Sequence, residues 1–129
     1  MAEQAEDPGE RISEAEHAVM EALWEASPLT AAEVSDKIAG QRGWSLATVK
    51  TLLSRLVVKK AVATEPDGRR FLYTPTIERT EYVGSESRRL VDRLFGGRAA
   101  PLLVHLVESE ALSADDIEEI ERLIREFRK

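Results

Sequence analysis

Three hydroxyl residues, Ser13, Thr30 and Ser45, each open a run whose apolar positions recur at helical spacing, and the third run leads into the turn tripeptide Pro66-Asp67-Gly68. A Ser or Thr at a helix N-cap accepts a hydrogen bond from a backbone N–H that the first turn leaves open. Glu16 and Glu33, three residues beyond Ser13 and Thr30, complete reciprocal capping boxes. The first helix sets Ile12, Ala15, Val19, Leu23 and Ala26 on one side. It is expected to stop near Ser27-Pro28, because the residue before a proline is pushed out of the helical region. The second, with Leu29 and Val34 placed as a hydrophobic staple, turns Val34 and Ile38 inward and is expected to end at Gly40. The third runs from the Ser45 cap to about Lys60, with Leu46, Val49, Leu52, Leu53, Leu56 and Val57 as its apolar stripe. Two alternating segments, 61–64 and 70–73, flank the turn. Proline fixes φ there and glycine accepts positive φ, so the pair reads as a hairpin. Three helices followed by a hairpin is the element order of a winged helix-turn-helix.

Past Pro75 the pattern is helical. Residues 78–95 place Val83, Leu90, Val91, Leu94 and Phe95 inward and end at Gly96-Gly97. A second helix over 99–108 carries Leu102, Leu103, Leu106 and Val107. A third, capped by Ser113, carries Ile117, Ile120, Ile124 and Phe127, its stripe widened by Leu123. Roughly 50 residues are too few to bury so many large apolar side chains alone, and a symmetric partner is the simplest remedy. Leu90, Leu94, Phe95, Leu102, Leu103, Leu106, Ile117, Ile120, Ile124 and Phe127 are the candidate dimerisation residues. The fold class is thus mainly α with a small β-wing. Residues 1–10 are expected as a disordered lead-in, 11–76 as a winged-helix DNA-binding domain and 77–129 as a helical dimerisation domain.

Charge picks out one region of this plan. The chain has 18 Lys+Arg against 24 Asp+Glu, a net of −6. Residues 40–74 hold seven basic residues (Arg42, Lys50, Arg55, Lys59, Lys60, Arg69, Arg70) and two acids (Glu65, Asp67), a net of +5; the remaining eleven basic and twenty-two acidic residues net −11. A polyanion meets one attractive face on a protein that otherwise repels it, which points to nucleic acid. Opposite the apolar stripe, the third helix presents Ala47, Thr48, Lys50, Thr51, Ser54 and Arg55. Small, hydroxyl-bearing and basic residues let a helix enter a major groove and meet base edges or phosphates. Arg55 suits a bidentate contact with guanine or phosphate, and Lys50 suits a phosphate. No acid occupies the first turn, so its N–H groups stay available to a phosphate. With Ser45 at the cap, Lys59 at the far end and Arg69 and Arg70 by the hairpin tip, these are the candidate DNA-binding residues. The alternative is a winged-helix protein-protein interaction module, but interface cores favour Tyr, Trp, Phe and Met over such a hydroxyl-rich helix.

Several classes are set aside. No nucleophile-elbow, P-loop or metal-protease pattern occurs, so catalysis is not expected. With no cysteine there is neither a disulfide framework nor a thiolate metal site. His17 and His105 lie in different halves without ligand spacing, so no metal and no cofactor is expected. Trp24 and Trp44 each flank an apolar stripe and read as core anchors. No run of 18 apolar residues occurs and the first ten residues are acidic and polar, so no membrane insertion or signal peptide is expected, and the cytoplasm is the expected compartment.

The segment Trp44-Ser45-Leu46-Ala47-Thr48-Val49-Lys50-Thr51-Leu52-Leu53-Ser54-Arg55-Leu56-Val57 resembles the recognition-helix signature of the penicillinase-repressor (BlaI/MecI/CopY) regulators. So do the opening Glu14-Ala15-Glu16 through Leu23-Trp24, the wing Gly68-Arg69-Arg70-Phe71-Leu72-Tyr73-Thr74-Pro75, and Leu94-Phe95-Gly96-Gly97, in register over residues 11 to 127. The resemblance implies a cytoplasmic homodimeric repressor that binds a dyad operator in double-stranded DNA. In β-lactam-responsive members a membrane sensor protease brings about cleavage of an Asn-Phe bond, directly or through a downstream protease; the matching bond here is His105-Leu106. Copper-responsive members carry paired Cys-x-Cys motifs, which this chain lacks. Ala61 stands where Lys-Lys-Gly is common, which bears on how the third helix ends.

Overall fold

The computed structural model describes residues 12–129, so the lead-in expected over 1–10 lies outside the described residues. The order is α1 (Glu14–Glu25), α2 (Ala31–Arg42), α3 (Leu46–Val58), β1 (Val62–Asp67), β2 (Arg70–Pro75), α4 (Arg79–Phe95), α5 (Ala100–Glu108) and α6 (Ala114–Phe127). This is a winged helix-turn-helix followed by further helices, mainly α with a two-stranded wing. Ser13, Thr30 and Ser45 each accept from the N–H three residues on at 3.1 Å, and Ser113 does so at 3.0 Å. Glu16, Glu33 and Asp116 return the bond to the cap N–H at 2.9, 2.8 and 3.0 Å.

The first three helices share one core. Val19, Met20 and Leu23 of α1, Val34 and Ile38 of α2, and Val49, Leu52, Leu53 and Leu56 of α3 meet there, closed by Ala61 and Val62. Each large side chain so withdrawn from water stabilises the fold by roughly 1.5–3 kcal/mol. Leu46 departs from its expected place in the stripe. It is the first residue of α3, beyond the edge of the core, and remains 41% exposed.

Two element ends also differ from expectation. α2 passes through Gly40 and stops only at Arg42, where Gly43 takes φ +65°. An exposed glycine costs a helix about 1 kcal/mol and is tolerated, whereas a left-handed residue terminates it. In the hairpin, Pro66 is not in the turn but pairs with Phe71 inside β1, and Asp67 pairs with Arg70. An edge strand tolerates the missing proline donor. The turn is therefore Gly68-Arg69, with Gly68 at φ +67° in the first central position that a II′ hairpin turn reserves for glycine. β2 gains a further partner in Leu29, whose backbone exchanges hydrogen bonds with Tyr73 at 3.1 and 2.8 Å.

The end of α3 explains the alanine at 61. Lys60 donates to the Val57 carbonyl at 2.9 Å and Ala61 to the Leu56 carbonyl at 3.0 Å. That is a Schellman motif whose left-handed residue is Lys60, at φ +69°, rather than residue 61. Ala61 follows it and is fully buried, supplying the apolar contact that accompanies the motif. Glu110, at φ +59°, ends α5 in the same way.

The described residues divide into two compact units, the first ending at Val83 and the second running from Gly84 to Lys129. The division falls beyond the boundary expected at 76/77, because 77–83 is bound to α1. Trp24 Nε1 donates to the Ile77 carbonyl at 2.9 Å, and Arg79 grips Glu21 through two bonds of 2.9 and 3.0 Å. Tyr82 is buried beside Trp24 and His17, with ring centroids 5.5 and 5.6 Å away. In the second unit, no residue of 84–129 is buried. Leu94, Leu103, Val104, Val107, Ile117, Leu123, Ile124 and Phe127 are exposed there. No helix among the described residues is long and apolar enough to cross a membrane.

Candidate nucleic-acid interface

The helix-turn-helix places α3 through three residues. Gly43 turns the chain, Trp44 half-buries against the core, and Ser45 caps the next helix. The opposite side of α3 from Val49, Leu52, Leu53 and Leu56 is formed by Ala47, Thr48, Lys50, Thr51, Ser54 and Arg55, all exposed. Its first turn contains no acid. The hydroxyls at its start are already oriented by the helix. Ser45 Oγ lies 3.1 Å from Thr48 Oγ1, and Thr51 Oγ1 donates to the Ala47 carbonyl at 3.1 Å. The Thr48 and Thr51 methyl groups are then held on a small, acid-free surface that can approach base edges closely.

The basic residues fall into two groups. Arg42 lies 3.7 Å from Glu14 and 5.1 Å over the Trp44 ring, and Arg70 is held by Asp67 through Nε and a terminal nitrogen at 3.2 Å each. Lys59, a candidate DNA-binding residue, puts its ammonium 2.6 Å from Glu16 Oε1. Lys50, Arg55, Lys60 and Arg69 are exposed and make no ion pair among the described residues. The hydrogen-bonded Asp67-Arg70 pair closes the hairpin turn and leaves Arg69 at its tip.

Glu16 was legible as a capping residue but not as Lys59's partner, since 43 residues separate the two and no local pattern links them. Burial alone raises the Glu16 carboxyl. The Lys59 hydrogen bond, the Ser13 N–H and the charges of Lys59 and Arg55 outweigh it and hold the group below its usual value. Glu21 is likewise held low, mainly by its hydrogen bond from Arg79. His17 lies between Glu21, 3.2 Å away, and the Trp24 and Tyr82 rings. His105 packs 5.7 Å from Phe95.

Residues 12–126 match the family model of the penicillinase repressor. The chain belongs to the penicillinase-repressor family. A penicillinase repressor of Bacillus licheniformis is 30% identical over 118 residues, 92% of this chain and 92% of its own. The methicillin resistance regulatory protein MecI of Mammaliicoccus sciuri is 31% identical over 113 residues, 88% of this chain and 92% of its own. Among solved structures, the DNA-binding domain of the repressor BlaI matches with a TM-score of 0.51 at 38% identity, covering 56% of this chain and 88% of that domain. Penicillinase-repressor membership thus rests on nearly the whole chain.

Proposed function

We propose that this chain is a homodimeric transcriptional repressor that binds a dyad operator in double-stranded DNA, each protomer placing α3 in a major groove. The observation that carries this is the exposed face of α3, where Lys50 and Arg55 stand among Ala47, Thr48, Thr51 and Ser54 with no acid in the first turn. Arg69 at the wing tip adds a contact to the flanking backbone. Half-sites lie about one or two helical turns apart, ~34 Å per turn. The exposed apolar residues of the second unit support pairing with a second copy. Two linked modules bind far more tightly than one, so loss of the pairing lifts repression. Proteolysis in the C-terminal unit, by a sensor protease or one downstream of it answering a cell-wall antibiotic or another signal, is one route. The His105-Leu106 bond lies within α5, so a protease needs the last turn of that helix unwound. Activity of this kind places the protein where the DNA is, in the cytoplasm.

Fluorescence anisotropy against duplexes tiled across the gene's own promoter tests the reading. Wild type is expected to select one dyad-containing tile, and Arg55→Ala to weaken that binding by ~1–3 kcal/mol while relaxing its selectivity. Equal affinity of the two proteins for that tile would remove Arg55 from base reading. Weak, equal binding to every duplex would favour the protein-interaction alternative.

A further inference from the structure

We infer that Glu16 is a positioning residue for DNA recognition: it holds the Lys59 ammonium against the core and so keeps that charge off phosphate. The exposed residues of α3 then decide where the protein binds. This inference rests on the DNA-binding reading above. Glu16 belongs to α1 and is 2% exposed, while the Lys59 side chain, at the C-cap of α3, is 28% exposed. The two meet at 2.6 Å, and the same carboxylate oxygen accepts the Ser13 N–H at 2.9 Å. One oxygen therefore ties the start of α1 to the end of α3. Arg55, four residues before Lys59, also acts on this carboxylate through its charge.

A buried acid behind two cations of the basic region lowers the positive field there. The cap does not require that charge, because glutamine serves a capping box as well as glutamate does. Sequence-independent affinity follows the number of phosphates neutralised, whereas selectivity follows contacts to base edges. Holding Lys59 back removes a contact of the first kind and leaves the second kind intact. The expected consequence is a larger ratio of operator to random-DNA affinity.

Full-length wild type, Glu16→Gln, Lys59→Gln and the double variant are titrated against a random duplex and the tightest-binding promoter tile, at salt from about 50 to 200 mM. Thermal melts accompany each protein. Glu16→Gln keeps the cap and removes the carboxylate charge that holds Lys59. On random DNA its log–log salt slope is expected to steepen by about 0.9 per protomer, an extra loss of about threefold over that salt range. Its operator-to-random ratio is expected to fall. Lys59→Gln and the double variant are expected to keep the wild-type slope, which separates a charge effect from mere loss of stability. An unchanged slope in Glu16→Gln, or a slope shallower by about 0.9 per protomer in either variant lacking Lys59, overturns the inference. If a single variant does not fold, the double variant, which leaves no buried charge unpaired, decides by the same criterion. A wild type that binds neither duplex sinks the DNA-binding reading instead.

Discussion

Glu16 is 2% exposed and accepts from both Ser13 and Lys59, so its ionised form is built into the folded state. Its carboxyl is held below the usual 4.5, which fixes the sign of its effect on stability. The unfolded chain binds the proton more readily than the folded one. The contribution is therefore present above the unfolded value and is lost as pH falls through the folded value. Denaturation midpoints are expected to decline below about pH 4.5, and to decline less steeply in Glu16→Gln. Equal acid sensitivity in the two proteins would show that other carboxylates govern the acid limb. At this scale the sequence discloses what is local. The boxes Ser13/Glu16 and Thr30/Glu33 are spaced by helix geometry and are readable in a line of text. The pairings Glu16–Lys59, Glu21–Arg79 and Trp24–Ile77 depend on how helices pack, and no local spacing announces them. The Glu16 partner of Lys59, a candidate DNA-binding residue, is not readable in the sequence for that reason.

Among the elements, beginnings were more legible than ends. The N-caps Ser13, Thr30, Ser45 and Ser113 each carry a side chain with a specific job, whereas the ends of α2, α3 and α5 each use one residue with positive φ, for which glycine is only the cheapest choice. Gly40 looked like the stop of α2 but is tolerated inside it, and Gly43 ends it. Lys60 and Glu110 show the converse, left-handed positions filled by residues with a Cβ. Such a residue costs roughly 1–2 kcal/mol relative to a right-handed one. Lys60→Gly is expected to stabilise the protein by about 1 kcal/mol in chemical denaturation, after the entropy of a more flexible unfolded chain is set against the relief. Destabilisation would mean that the Lys60 side chain contributes more to the fold than its strained backbone costs. The apolar stripe of α3 was readable because Val49, Leu52, Leu53 and Leu56 recur at helical spacing, and the acid-free face opposite followed from it. Pro66 misled because a proline before Asp-Gly reads as a turn residue, while an exposed strand edge accepts it equally well.

For the whole molecule, the first unit has a closed core and the second does not: nothing in 84–129 is buried, and Phe127 is 94% exposed. A surplus of large apolar residues over available interior is readable from chain length, but what covers them is not. If a second copy does so, Ile124→Glu, at a position 48% exposed, is expected to leave the protomer folded and to convert a dimer to a monomer in sedimentation. Operator affinity is expected to fall by about a hundredfold as the linkage between half-sites is lost. A variant that stays dimeric and keeps its affinity would place the interface elsewhere. The most direct measurement is the salt dependence of binding to a dyad-containing duplex by anisotropy. If each protomer neutralises about three phosphates, the log–log slope is expected near −5, using roughly 0.9 per contact, with tight binding confined to that duplex. A slope near zero, or equal affinity for scrambled DNA, contradicts a repressor that reads an operator through α3.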